Sequence, residues 1–340
     1  MDIKQLDEAT VARWDRFVEG HPEATFFHRA GWRAVLQQAF AHPSYFLYAE
    51  DQGEIQGILP LGHLKSRLFG NSLVSTPFCV YGGAVAQSEQ ARVALEQAAC
   101  DLARQLKVDY LELRNLKPSG SGRPGKSLYV TFRKVLEADH DKNMAAIPRK
   151  QRAVVRKGGA QNLVSVIDPQ VDRLYDTYAE SVRNLGTPVF SKKLFQALRD
   201  VFGDDCEVLS IEHGGAVVSS VMSFYFRNEV LPYYGGGTQA ARGLQANDFM
   251  YWEVMRRAVE RGARMFDFGR SKLGTGSYRF KTHWGFEPTP LHYEYELVRA
   301  SSVPDLNPLN PKYRLFIEGW KRLPVPVSKW LGPWLSRTLG

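Results

Sequence analysis

The 340-residue sequence predicts a mixed α/β protein, two tandem copies of one domain closed by a helical tail. Three observations carry this expectation. The chain is more than twice the usual length of one domain, so two cores of roughly 150 residues each are expected. Apolar residues make up 44% and aromatics 12%, enough to fill both cores and too much for a disordered chain. Above all, three blocks of the first half recur in the same order in the second, about one domain length further on.

The first block, "YFLYAEDQGEIQGILPLGHL", is answered by "CEVLSIEHGGAVVSSVMSFYF", and each reads as strand, Gly-containing turn, strand. The second, "TPFCVYGGA" against "LPYYGGGT", is an apolar strand ending in Tyr-Gly-Gly. The third sets "ALEQAACDLARQLKVDYLELRN" against "DFMYWEVMRRAVERGARMFDFGRS". Both are amphipathic helices, apolar at i, i+3, i+4 and i+7, followed by a strand. Chance likeness between two generic units is the plainer alternative. The boundary is expected near Met144 to Lys157, with a first domain over 1–143, a second over 144–300 and a tail over 301–340.

In the second copy the strand "MFDFG" is separated from the strand "LHYEYEL" by "GRSKLGTGSYRFKTHWGF", Gly269 to Phe286. A hairpin needs only two to five loop residues, so an insertion of this length implies function or internal structure. Ser277 is expected to cap a short helix through "YRFKTHW" that Gly285 ends. On it Phe280 and Trp284 stack, while Tyr278 and Lys281 share the neighbouring face. Lys281 then points toward the sheet, or simply lies over packed aromatics. Alternation in "LHYEYEL" puts Tyr293, Tyr295 and Leu297 on one face and His292, Glu294 and Glu296 on the other.

The tail opens with prolines that set an extended approach, followed by a helix sharing Leu315, Phe316 and Trp320 on one face. A second helix carries Trp330, Leu331, Trp334 and Leu335 against Lys329 and Arg337. A tail so rich in tryptophan is expected to dock on the protein. Tryptophans interleaved with cations also suit a lipid headgroup layer, so peripheral membrane contact is the minority reading.

No apolar run approaches the roughly 20 residues that span a bilayer, and the start lacks the basic-then-apolar pattern of a signal peptide. A cytoplasmic monomer, with membrane association at most peripheral, is the expectation. Cys79, Cys100 and Cys206 have neither metal nor redox spacing, so no metal is expected. The net charge of +8 favours anionic partners: phosphates, RNA or an anionic membrane. Residues 142–157 hold six basic residues and no acid, which makes that segment the first place to look for contacts. In "IPRKQRAVVRKGG", Arg149, Arg152 and Arg156 fall on one helix face, and guanidinium forks suit phosphates. A merely solvated cationic face is the plainer reading.

Antiparallel strands, a helix and a further strand make up the order of the GNAT acyltransferase fold. In that fold the central strands splay apart, and an acyl donor lies with its carbonyl in the opening and its phosphates near a helix N-terminus. The second copy offers "GGGTQAARGLQAND" after a strand ending at Tyr234. It supplies Gly235, Gly236, Gly237, Arg242 and Gly243, then Asn247 or Asp248 as N-cap. The first copy has only "GGAVAQSEQAR" there, so the chemistry is expected in the second copy. Glycines in such a turn are also ordinary turn chemistry.

"FDFGRSKLGTGSYRFKTHWGFEPTPLHYEYEL" resembles the C-terminal signature of the FemAB family of aminoacyl and acyl transferases, in the branch associated with the exosortase and PEP-CTERM surface-protein system. "NMAAIPRKQRAVVRKG", "NLGTPVFSKKLF" and the tail from "NPLNPKYR" resemble further segments of that branch, and "TFFHRAGW" and "STPFCVYGG" carry the likeness over the first domain. The resemblance implies two tandem GNAT-like domains and a chain that returns to the first domain at its end. It implies transfer of an acyl group to an amine of a cell-envelope or exopolysaccharide-related acceptor. The donor it implies is aminoacyl-tRNA or acyl-CoA, with no cofactor tightly bound, and the anionic partner is tRNA, CoA or a diphosphate-linked precursor. It places Lys281, the lysine of the F-K-x-x-W-G pattern, where it meets the donor and its developing negative charge. The loop "ARGLQAN" departs from the Q/R-x-x-G-x-G/A spacing of coenzyme A users, which counts against acetyl-CoA.

Amine attack on an ester or thioester needs an unprotonated nucleophile, a donor to the oxyanion and a proton path to the leaving group. A backbone N–H between Tyr233 and Gly236 is the candidate oxyanion donor, with Lys281 adding charge. Tyr233 or Tyr234 is a candidate proton carrier, against the plainer reading that both are packing. His292, Glu294 and Asp267 are candidate bases. Arg242, Arg270, Lys272, Tyr278 and Trp284 complete the expected substrate-binding set. The alternative is a non-catalytic RNA-binding or membrane-peripheral adaptor, which has no need of a structured, Lys-bearing insertion.

Overall fold

The computed structural model describes residues 1–66, 70–304 and 311–338. The chain divides into two compact units, Met1–Tyr129 with Pro290–Leu306 and Arg337–Gly340, and Val130–Thr289 with Asn307–Ser336.

The first unit is built from β1 (Asp2–Gln5), α1 (Val11–Gly20), α2 (Gly31–Phe40), β2 (Ser44–Asp51), β3 (Glu54–Ser66), β4 (Gly70–Ser75), β5 (Val85–Ala86), α3 (Glu89–Gln105), β6 (Tyr110–Asn115) and β7 (Gly125–Lys126). A late strand, β16 (His292–Leu297), completes it. The sheet order is β1-β2-β3-β4-β6-β16-β7, with β5 on β3. Gln52 and Gly53, both at positive φ, make the two-residue turn that returns β2 into β3. Ser88 caps α3 by accepting from the Ala91 N–H. The helix then buries Ala91, Leu95, Ala99 and Ala103 at four-residue intervals, over Leu47, Leu59, Leu73 and Leu111 of the sheet.

The second unit begins at β8 (Tyr129–Val135) and continues through α4 (His140–Ala146), α5 (Arg149–Gly159), β9 (Val164–Asp168), α6 (Asp172–Leu185), α7 (Lys192–Phe202), β10 (Cys206–His213), β11 (Ala216–Phe226), β12 (Glu229–Gly237), α8 (Gln239–Leu244), α9 (Ala246–Glu260), β13 (Met265–Asp267), β14 (Ser271–Lys272), α10 (Gly276–His283) and β15 (Pro288–Pro290). The tail supplies α11 (Pro311–Lys321) and α12 (Val325–Ser336). The sheet order is β14-β8-β13-β12-β11-β10-β9, with β15 on β8. Alternation along β11 separates two cores. Val221 and Tyr225 join Met250, Val254 and Phe266 in the core under α9, whereas Phe224 meets Phe202 of α7 and Tyr234 of β12.

The internal repeat is visible in both sheets. β2, β3, β4, α3 and β6 have the same order and pairing as β10, β11, β12, α9 and β13, down to the parallel pairing of the strand after the helix with the third strand. What periodicity did not give is where the next strand comes from. β16 pairs antiparallel with β6, Tyr295 opposite Glu112, although it follows the second copy in sequence. β8 pairs antiparallel with β13, Phe266 opposite Lys134, although it follows the first copy. The units therefore divide after Tyr129 rather than after residue 143, and residues 290–306 belong with the first. Alternation tells which face of a strand is buried and not which sheet receives it.

The tail helices lie elsewhere than expected, α11 and α12 packing on α6 of the second unit, and only the chain end at Arg337 returns to the first. Arg183 of α6 donates to the Lys321 carbonyl at 3.0 Å, and Ser336 Oγ donates to the Val189 carbonyl at 3.0 Å. Arg337 is grouped with the first unit, where its Nε donates to the Phe40 carbonyl at 2.9 Å. The extended approach expected around Pro308 lies outside the described residues.

Candidate functional site

In the second unit β12 and β13 run parallel, yet among the described residues they pair at only two positions, Glu229 with Met265 and Val230 with Phe266. Beyond that point β13 follows β8, the Phe268 N–H donating to the Phe132 carbonyl at 2.9 Å, while β12 stays on β11. Two adjacent strands held by opposite neighbours must part, and they leave an opening between Leu231–Gly237 and residues 267–270. At its mouth β12 carries a bulge: Met222 faces Tyr234 and Ser223 faces Pro232, so Tyr233 is the extra residue. A bulge takes one residue out of the ladder and re-aims its N–H and side chain. Pro232, which has no N–H to give, fits such a position.

Gly235, Gly236 and Gly237 lie within β12 and not in a loop. A Cβ on Gly236 would stand 2.4 Å from Ser181 Cβ of α6, and one on Gly237 would stand 2.5 Å from Asn247 Oδ1. These glycines therefore let helices close on both faces of the strand, rather than cradle a phosphate. Helix α9 begins at Ala246 with Gln245 as N-cap in the left-handed region, not with Asn247 or Asp248. Arg242 is exposed on α8.

The opposite wall is braced from α10. Its N-cap is Thr275, not Ser277: Thr275 Oγ1 accepts from the Tyr278 N–H at 3.4 Å and donates to the Lys272 carbonyl at 2.7 Å. Trp284 is fully buried, with Phe280 6.2 Å away, and Tyr278 meets the Phe132 ring edge-on at 5.5 Å. Lys281 is buried, and its Nζ donates to the carbonyls of Gly269 at 2.9 Å and Arg270 at 3.0 Å. The rings of Phe132 and Phe268 lie 5.5 and 6.0 Å from it. Burial drives the Lys281 ammonium down to about 7; Asp267 opposes this and the Arg270 guanidinium reinforces it. Asp267 is itself wholly buried, accepting from the Gly269 N–H at 2.7 Å and the Thr131 hydroxyl at 3.2 Å. Lys281 thus fixes the turn that ends the β13 wall and sets a titrating charge beneath it. Arg270 and Lys272 are both half-buried on this segment.

Several expected residues are elsewhere. His292 and Glu294 stand on β16 in the first sheet, and Glu294 is held by the Ser119 N–H at 3.0 Å and the Ser121 hydroxyl at 2.8 Å. Both therefore belong to the first unit, whereas the opening is built from the second. Tyr234 packs among Tyr178, Phe190 and Phe195, and Trp284 is core. Arg152 donates to the carbonyls of Ala145 at 3.0 Å and Ile147 at 3.1 Å, so it ties α5 to the end of α4 instead of facing outward. Arg149 and Arg156 are exposed, together with Lys150 and Lys157 of the same basic run. The bulge was also missed, although a proline inside a strand was its signal.

The counterpart opening in the first unit is stitched shut. The Arg114 N–H donates to Ser75 Oγ at 2.8 Å, and the N–H groups of Gly82 and Gly83 donate to the Arg114 carbonyl at 3.2 and 3.1 Å. The Arg114 side chain is fully buried between Glu112 and the Cys79 carbonyl, each at 2.7 Å.

Residues 141–282, which contain the bulged strand, the open wall and Lys281, match a family described as Acetyltransferase (GNAT) domain. The architecture is a tandem GNAT acyltransferase fold. FemX is similar over 93% of this chain and 100% of its own, at a TM-score of 0.67 and 14% identity. A tandem GNAT protein from the clavulanic acid biosynthesis pathway is similar over 88% and 99%, at 0.57 and 15%. The C-terminal domain of a putative lysylphosphatidylglycerol synthetase from Agrobacterium fabrum is similar over 84% and 91%, at 0.57 and 13%. At such identities the likeness is one of fold. No curated protein sequence matches the chain. Among the described residues no helix is long and apolar enough to cross a membrane, and no three His, Cys, Asp or Glu side chains gather as a metal site would require.

Proposed function

We propose that the chain is an N-acyltransferase of FemAB type, which moves an acyl or aminoacyl group from aminoacyl-tRNA or acyl-CoA to an amine of a cell-envelope or exopolysaccharide-related acceptor. The observation that carries this reading is the open, bulged junction of β12 with β13 beside buried Lys281, set against the closed junction in the first unit. The fold shared with FemX and the lysylphosphatidylglycerol synthetase supports acyl or aminoacyl transfer in general. The motif likeness supports an acceptor of the exosortase-associated envelope system.

In this mechanism the acyl carbonyl lies in the opening with its oxygen toward the bulged backbone at Tyr233. The acceptor amine attacks the carbonyl carbon, and the C–N bond forms as the electron pair moves to oxygen. The Tyr233 N–H and the charge on Lys281 and Arg270 stabilise that oxyanion. Collapse breaks the bond to the tRNA ribose oxygen or the CoA sulfur, and the proton lost by the amine leaves with that group. Asp267 acts through structure, holding the Gly269 turn from below.

The test offers aminoacyl-tRNA and acyl-CoA separately to the purified protein with amine-bearing envelope precursors, and weighs the product by mass spectrometry. Lys281→Met is expected to lower the rate on the order of a hundredfold, as loss of one oxyanion-stabilising group does. A folded variant that turns over at the wild-type rate overturns the role of Lys281. Absence of transfer from either donor, with RNA still bound, favours the adaptor reading. That reading is supported by the exposed α5 cations Arg149, Lys150, Arg156 and Lys157, which have no acidic partner among the described residues.

A further inference from the structure

The tail is built inside out for a helix in water. α12 buries Ser328, Gly332 and Ser336, three small residues four apart, against the second unit. A Cβ on Gly332 would stand 2.8 Å from the Val189 carbonyl oxygen, so the contact is backbone-close and leaves no room for a larger residue. The same spacing turns Trp330 and Trp334 outward, 78% and 67% exposed, with Val327 beside them. α11 shares the outward apolar residues but not the small inner face. Trp320 is buried at 4%, and Ile317 packs on Gly186, while Leu315 and Phe316 are 85% and 44% exposed.

Core-forming residues normally face inward on a docked helix. Here both helices leave large apolar residues outside, although only α12 is held by small residues and α11 is held by Trp320 and Ile317. Cations outnumber acids around them. Arg314 and Arg322 are exposed and form no ion pair among the described residues. Glu318 is paired with Lys321 at 2.9 Å. The acids of α6 beneath are also engaged: Asp176 pairs with Lys329, Asp172 with Lys192, and Glu180 accepts from the Gln239 N–H. The outer surface therefore offers tryptophan, phenylalanine and leucine with an excess of cations, since one exposed acid, Glu318, faces Lys321, Arg322 and Arg314 together.

We propose that this face of α11 and α12 is a docking surface for an anionic lipid bilayer. Trp330 and Trp334 would enter the headgroup layer and Arg314 and Arg322 would meet the lipid phosphates. Indole rings partition to such interfaces because one edge is polar and the body is not, and cations add attraction to anionic lipid. A second copy of this chain fits the charge pattern poorly, since two like-charged faces would oppose each other.

The test is flotation of the full-length protein with vesicles of pure phosphatidylcholine and of phosphatidylcholine with about 30% phosphatidylglycerol, with tryptophan emission recorded alongside, a lipid composition at which each nearby cation contributes roughly a fivefold gain in binding. Wild type is expected to float with the anionic vesicles, with a blue-shifted emission, and to detach as salt is raised. Trp330→Ser/Trp334→Ser removes only exposed rings, so melting should be unchanged while binding falls on the order of a hundredfold. Arg314→Gln/Arg322→Gln should weaken binding and flatten its salt dependence. Lys281→Met should bind vesicles as wild type does, which separates this surface from the transfer site. Failure of wild type to float, equal binding to neutral vesicles, or retention of binding by the tryptophan variant overturns the proposal. So does a self-association seen by sedimentation that the tryptophan variant abolishes, which would assign the face to a second copy.

Discussion

Lys281→Met offers a stability measurement whose sign is fixed by the site. In the folded chain the Lys281 amine titrates near 7, against an ordinary value of 10.5, because burial penalises its charged form. The unfolded chain therefore holds a proton that the folded chain lacks between those two values. Stability must climb with pH across that window, by about 1.4 kcal/mol per pH unit. Below 7 both states are protonated and the folded state carries the full penalty. Methionine removes the titration and also strands two buried carbonyls, Gly269 and Arg270, at about 1–3 kcal/mol each. Near pH 6.5 relief of the buried charge offsets the missing hydrogen bonds, so the two proteins should be close in stability. By pH 9 wild type should have gained on the variant by about 2–3 kcal/mol. Paired urea denaturation of the two proteins at several pH values between 6.5 and 9 measures this, and groups common to both cancel in the difference. A difference that stays flat across the range would refute the placement of a neutral-titrating lysine under the turn.

Further outcomes follow from the same geometry. Gly236→Val drives a side chain into Ser181 and should lower stability by about 1–3 kcal/mol, read as a lower Tm; an unchanged Tm contradicts the close approach of α6. Arg152→Ala should destabilise the junction of α4 and α5, whereas Arg149→Gln/Arg156→Gln should leave Tm unchanged and lower the salt slope of single-stranded RNA binding by about 0.7 for each phosphate no longer neutralised. All three cysteines are buried, and burial pushes the Cys100 and Cys206 thiols up, so Ellman's reagent at pH 8 should react only after unfolding. Rapid labelling of the native protein would contradict that burial.

The repeat was legible because hairpin, strand, helix and strand each leave a local period, and a block such as "LPYYGGGT" has a recognisable partner in "TPFCVYGGA". Lys281 was legible because a helix inside an over-long connection is rare, and its partners were not, since carbonyls at Gly269 and Arg270 belong to a turn with no sequence signature. Arg152 shows the same limit: a helical wheel puts it beside Arg149 and Arg156, but only the preceding helix end reveals carbonyls within its reach. The tail misled for a different reason. An amphipathic stripe says which residues belong together, and the reading assumed that the large ones face in, whereas Ser328, Gly332 and Ser336 do.

The reciprocal placement of β8 and β16 also orders the events of synthesis. The second sheet can gather its strands from a continuous run that ends at β15, once residue 290 has emerged. The first sheet cannot, because β6 must wait for β16, whose first residue lies 177 positions after the last of β6, from Asn115 to His292. At typical elongation rates that wait is on the order of ten to thirty seconds. Throughout it the earlier-made unit presents an unpaired edge strand, the kind of surface that recruits stray strands or a chaperone. The sheet that is begun first is the sheet that is completed last.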